Sequence, residues 1–135
     1  MAKLFSDAWI NELKDAWNND PEVSDKLADI DFCSKIACGY KGDHQPTCIF
    51  IVENGKAISA GPYDGQEPDW DMRASASDWM KWVETPLSMT GMGMAFTTGR
   101  LKFEAGDFKA MIKTPSMAGP FVKSFTLMNK IGARA

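Results

Sequence analysis

The dipeptide Asn54-Gly55 constrains this chain more than any other feature. Both residues accept the left-handed backbone that a two-residue hairpin turn demands, so strands must lie on either side of it. The flanking segments agree. Thr47–Glu53 is apolar on both faces, as a central strand covered on both sides would be, and Lys56–Ala60 returns the chain. Upstream, Phe32–Tyr40 alternates through Ser34, Ile36 and Cys38 and ends in the turn-forming run Lys41–Pro46. Downstream, past the Gly/Pro/Asp-rich loop Gly61–Pro68, Asp69–Ser75 sets Trp70, Met72 and Ala74 against Asp71 and Arg73. Four strands in succession predict a meander.

Helical periodicity brackets these strands. Ser6 is placed to cap a helix with Trp9, Leu13, Ala16 and Trp17 on one face. Asp20-Pro21 starts a second helix, with Val23, Leu27 and Ile30 on its stripe. Ser77 is the expected cap of a helix over Asp78–Glu84. Gly91 and Gly93 each cost ~1 kcal/mol in a helix, so Gly91–Phe96 reads as a flexible loop. Gly99–Ala105 reads as a fifth strand with Leu101, Phe103 and Ala105 inward. Asp107 caps a helix carrying Phe108, Met111 and Ile112, and Gly119-Pro120 begins a last one that Gly132 ends. Two helices, a sheet and further helices within 135 residues predict one α+β domain over the whole chain.

Several function classes are disfavoured by the same residues. Net charge is −3, with 6 Lys/Arg against 13 Asp/Glu in residues 1–70 and 9 against 5 in residues 71–135. Nucleic acid is not the expected partner, because phosphate contacts need a concentrated basic face. The longest apolar run, Cys48–Val52, falls far short of the ~20 residues of a membrane span. Trp9-Ile10-Asn11-Glu12 breaks any signal-peptide stretch, so no stable membrane insertion and a cytoplasmic location are expected.

Three scattered cysteines, Cys33, Cys38 and Cys48, form no disulfide framework and read as small buried hydrophobes. With one histidine, His44, neither a structural metal nor a cofactor is expected. Common hydrolase, metalloprotease and phosphate-loop signatures do not occur. Asp69 and Asp71 share a strand face like paired carboxylates, but with Arg73 alongside they read as a solvated surface. Catalytic residues are therefore not assigned.

What stands out is soft and apolar. Eight of the nine methionines fall between Met72 and Met128, among Trp79, Trp82, Phe96, Phe103, Phe108, Phe121 and Phe125. Methionine is unbranched and polarizable, so it suits a wall that adapts to ligands of varied shape, whereas a uniquely packed core favours Leu, Ile and Val.

Three stretches in this order then point to a family. They are Pro68–Ser75 (PDWDMRAS), Ser77–Val83 (SDWMKWV) and Ala95–Asp107 (AFTTGRLKFEAGD), followed by Phe108–Lys113 (FKAMIK). With the preceding helices and strands, the chain resembles the sterol carrier protein 2 family. The resemblance implies a five-stranded, largely antiparallel sheet covered by helices and an apolar tunnel for a fatty acid, acyl-CoA or sterol-like lipid. It also implies no catalysis by this domain alone, and work beside an enzyme of lipid metabolism.

Carried over by position, the wall is expected from Trp79, Val83, Phe96, Leu101, Phe103, Phe108, Met111 and Ile112, with Phe121, Phe125 and Met128 on a closing C-terminal helix. Lys109 or Lys113, and less readily Lys102, would receive an anionic head. The alternative is an accessory module that presents a hydrophobic substrate to a partner enzyme, either as a monomer or as a homodimer paired through the doubly apolar strand and Trp9 and Trp17.

Overall fold

The computed structural model describes all residues, 1–135. Its first helix, α1 (Asp7–Asn18), starts where the Ser6 hydroxyl accepts the Trp9 N–H at 3.2 Å. It buries Trp9, Ile10, Leu13 and Trp17. Helix α2 (Ser24–Asp29) begins later than Asp20-Pro21 suggested: residues 21–23 form a turn in which Asp20 accepts from the Glu22 N–H. Ile30 is exposed rather than on a buried stripe, while Val23 and Leu27 are buried.

Five strands follow in one sheet: β1 (Ser34–Tyr40), β2 (Cys48–Glu53), β3 (Lys56–Pro62), β4 (Trp70–Ala74) and β5 (Lys102–Ala105). The Asn54-Gly55 turn joins β2 and β3 as expected, with φ of 49° and 81°. The meander ends there. The strand order is β3-β2-β1-β4-β5, so β1 rather than β2 is central, and β4 lies parallel to it with Ile36 opposite Trp70. The other three pairings are antiparallel. To reach β4 from the edge strand β3, residues 63–69 must pass both β2 and β1. The helices occupy one face of the sheet, so this connection crosses the other.

Helix α3 (Ala76–Glu84) begins earlier than expected. Ser75, not Ser77, is its cap, accepting the Asp78 N–H at 3.1 Å. Residues read as a loop form helix α4 (Met89–Thr97), capped by Ser88. Its glycines are outweighed by that cap and by burial of Met92 and Ala95. Helix α5 (Phe108–Ile112) starts at the Asp107 cap. Helix α6 (Pro115–Ile131) runs straight through Gly119-Pro120 instead of starting there, and Gly132 ends it with φ of 66°. Pro115 occupies the first turn, where its missing N–H costs nothing. The Trp9 indole donates to the Gly132 carbonyl at 2.9 Å, tying the end of α6 to α1.

Candidate functional site: an apolar cavity under the helices

Between the sheet and α6 the side chains leave a narrow cavity of about 40 Å³. Leu13, Trp17 and Leu27 line it from α1 and α2. Phe32, Ile36, Phe50, Trp70 and Met72 form its floor on the sheet. Met111 of α5 and Met117, Pro120, Phe121, Ser124 and Met128 of α6 form the roof. The α6 members recur at three- and four-residue intervals, which keeps them on one face of the helix.

None of these side chains is charged, and Ser124 is the polar one among them. Its hydroxyl donates to the Phe121 carbonyl at 2.5 Å, within its own helix. The Trp17 indole N–H is likewise consumed, donating to the Gly55 carbonyl at 2.9 Å. The interior can therefore hold alkyl or ring surface and offers no acid, base or nucleophile.

Of the residues expected from the resemblance, the structure sets Met111, Phe121 and Met128 on this cavity. Trp79, Val83 and Phe125 are instead buried in a solid aromatic core. Trp79 stacks on Phe125 with centroids 6.3 Å apart and donates its indole N–H to the Gly39 carbonyl at 2.9 Å. Phe96, Phe103 and Phe108 cluster at centroid distances of 4.5 to 6.1 Å, and Phe103 meets Phe121 and Trp70 from behind. Leu101 is buried and Ile112 half-buried beside them.

The missed lining residues are Leu13, Trp17, Leu27, Phe32, Ile36, Phe50, Trp70, Met72, Met117, Pro120 and Ser124. Most carry ordinary core periodicity, and the available signal was the second tryptophan on α1. That tryptophan does not mark a pairing surface: Trp9 and Trp17 are both buried, as is Ile49 on the back of β2.

The opposite face of the sheet corrects another expectation. Asp71 and Arg73 are not solvated. Their side chains are 8% and 6% exposed, and Arg73 grips Asp71 with Nε to Oδ1 at 2.6 Å and Nη2 to Oδ2 at 3.0 Å. Nη1 also donates to the Asp43 carbonyl at 2.9 Å. The hydrogen bonds to Asp71 hold the guanidinium pKa above its usual value. The loops 41–47 and 63–69, with Pro46 and Tyr63, wall in this pair. Asp69 instead accepts the Lys35 N–H at 2.8 Å.

His44 stands exposed at that back-face pocket, whereas Cys38 and Cys48 lie opposite each other in the main core. Burial pushes the Cys38 thiol up to about 12 and the Cys48 thiol up as well, so neither forms a thiolate at neutral pH. Cys33 is exposed, contrary to its reading as a buried hydrophobe. No helix is long and apolar enough to cross a membrane.

A helix-covered sheet with an uncharged hollow beneath its last helix defines a class: a small α+β domain built around one apolar site. This chain belongs to the SCP-2 sterol transfer family, whose profile matches residues 10–115. Its fold is similar to a crystal structure of sterol carrier protein 2, with TM-score 0.75 at 17% identity over 95% of this chain and 98% of that one. It is also similar to a Thermus thermophilus protein described as possibly a sterol carrier protein, with TM-score 0.62 at 15% identity over 99% and 93%. A third likeness is to UbiJ-SCP2, a ubiquinone synthesis protein, with TM-score 0.59 at 14% identity over 91% and 89%. At these identities the likenesses establish the fold alone. No curated protein matches the chain significantly.

Proposed function

We propose that this protein is a non-catalytic carrier that takes a hydrophobic lipid, an acyl chain or a sterol-like ring system, into the cavity beneath α6. The observation that carries this reading is the absence of charge from a lining of fourteen residues. Burying one CH₂ contributes ~0.8 kcal/mol, so about ten methylenes supply the roughly 8 kcal/mol of micromolar binding, before ordering costs. Met111, Phe121 and Met128 meet the ligand, while Trp79, Val83, Phe96, Leu101, Phe103, Phe108, Ile112 and Phe125 hold the wall in place. The protein works in the cytoplasm as a monomer or homodimer.

A second reading, an accessory module presenting a lipid to a partner enzyme, is favoured by the UbiJ-SCP2 likeness and by the exposed Met89 and Met94 on α4. Both readings require an occupied cavity. Native mass spectrometry of gently purified protein is expected to show an apolar adduct near one-to-one that organic solvent releases. A bare 14.9 kDa mass that persists after incubation with long-chain lipids and sterols would defeat the carrier assignment.

A further inference from the structure

We propose that helix α4 is the face by which this protein docks, reversibly, on an anionic lipid surface. The proposal goes beyond the carrier reading and does not require a filled cavity. It starts from a stretch of chain without charge: the fifteen residues between Glu84 and Arg100 include no Asp, Glu, Lys or Arg. A stretch of that kind belongs in a core, yet α4 buries only Met92 and Ala95. Met94 is 64% exposed and Met89 43%, with Thr90 and Thr97 also exposed and Leu87 and Phe96 half-buried. The Thr98 hydroxyl donates to the Met94 carbonyl at 2.8 Å, within the helix. A helix that is apolar on its outer side as well as its inner one has a side still to be covered.

Charge selects what covers it. From residue 85 to residue 103 the only charged side chains are Arg100 and Lys102, both exposed. Lys41 joins them, donating to the Gly99 carbonyl at the end of α4. The nearby acids Asp78 and Glu104 are each paired with one of these cations, at 2.9 Å with Arg100 and 3.2 Å with Lys102. Helices α1 and α2 are the reverse, since residues 7–31 hold eight Asp/Glu against two Lys. An anionic bilayer is therefore repelled from the α1–α2 side and accepted at α4. A protein partner would be held by Trp, Tyr or Arg anchors, and α4 itself contains none of the three.

The helix is suited to lie on a bilayer and not to enter it. Its nine residues are about 14 Å long, far short of the ~30 Å hydrocarbon core. Unbranched methionine side chains reach the acyl boundary while Arg100, Lys102 and Lys41 meet the phosphates. On its inner side Phe96 stacks on Phe108 of α5 at 4.5 Å, and Met111 of α5 lines the cavity, so the docked helix adjoins the cavity wall.

Sedimentation of the full chain with phosphatidylcholine vesicles, prepared with or without phosphatidylglycerol, tests this. Partitioning is expected to be at least fivefold stronger with phosphatidylglycerol and to weaken in 1 M salt. Met94→Asp is expected to reduce it at least tenfold and the milder Met94→Ser at least threefold, with the thermal midpoint unchanged because Met94 is exposed. Ile58→Asp, at a comparably exposed apolar position on β3, is expected to bind as the unaltered protein does. No binding to phosphatidylglycerol vesicles, or binding that both Met94 variants retain, overturns the proposal. So does an equal loss in Ile58→Asp, which would mark general stickiness. A dimer in light scattering that Met94→Asp converts to a monomer would assign the face to a second copy and overturn it as well. The carrier reading stands or falls separately, on the mass-spectrometric adduct.

Discussion

The helix layer has two ends that differ in how they treat the same kind of side chain. At the α3 end, Phe5, Trp9, Trp79, Trp82 and Phe125 meet edge-to-face or stacked and are almost wholly shielded. At the α2 end, Trp17, Phe50, Trp70 and Phe121 line a narrow cavity instead of closing it completely. Both ends are rich in aromatics, so composition does not separate them. What separates them is the roof. Phe125 packs against both Trp79 and Trp82, whereas Pro120, Ser124 and the flexible methionines 117 and 128 leave the opposite end incompletely filled. One end is built to hold the fold, the other to be filled.

The sharpest way to break this comparison is to delete from the solid end. Trp79→Ala is expected to cost about 3–5 kcal/mol, because a fully buried indole is lost along with its bond to Gly39. Urea unfolding measures it, and a loss under about 1 kcal/mol would show that this end is not the scaffold. Phe125→Asp belongs to the same category: with no exposure, it should unfold the protein before it reports on ligand.

The back of the sheet comes next. Arg73→Leu strands the buried Asp71 carboxylate and releases the loop held through Asp43, for an expected loss of about 3 kcal/mol. Asp71→Leu with Arg73→Leu should cost less than either single change, since Ala37 and Ile49 already make that face apolar. A double variant as damaged as the sum of the singles would contradict a desolvated pair.

Local chemistry made much of this fold legible in advance. The Asn54-Gly55 turn, the Ser6 and Asp107 caps and the Gly132 stop depend on neighbours within a few residues, and each is where the sequence placed it. Long-range consequences were not legible. The parallel β1–β4 pairing brings together segments far apart in the chain, and nothing in either strand distinguishes it from a meander. Burial of Asp71 and Arg73 follows from that crossover, so alternation alone read them as solvent-facing. The cavity escaped for a related reason. Periodicity shows that Leu13, Trp17 and Leu27 face inward, but it does not show whether anything on α6 reaches them.

Filling the hollow end sharpens the contrast from the other side. Ser124→Leu adds apolar volume where the native hydroxyl bonds only within its helix. Stability is expected to rise by about 1 kcal/mol, the usual gain from filling a cavity, while uptake of a long-chain alcohol falls at least tenfold. Thermal unfolding and ligand titration on the same sample read both effects. A variant that is more stable yet binds normally would place the ligand elsewhere.

The smallest expected effect lies at the start of α3, outside the aromatic core. Asp78 accepts from Arg100 at 2.9 Å, and this hydrogen bond, ahead of every other influence, holds its carboxyl below the ordinary 3.8. A carboxyl depressed in the folded state contributes stability that is present above its unfolded value and is lost as pH falls through the folded one. The contribution is therefore intact at pH 7 and begins to be lost only once pH falls below the ordinary 3.8. Asp78→Asn should lower the urea midpoint slightly at pH 7 and by progressively less as pH falls below the ordinary 3.8, making the acid limb of the stability profile shallower. Because Arg100 is 45% exposed, water and salt screen the pair, and the difference should shrink further in 1 M salt. An equal loss at every pH would mean that Asp78 acts through its place in the first turn of α3, beside the Ser75 cap, and not through its charge.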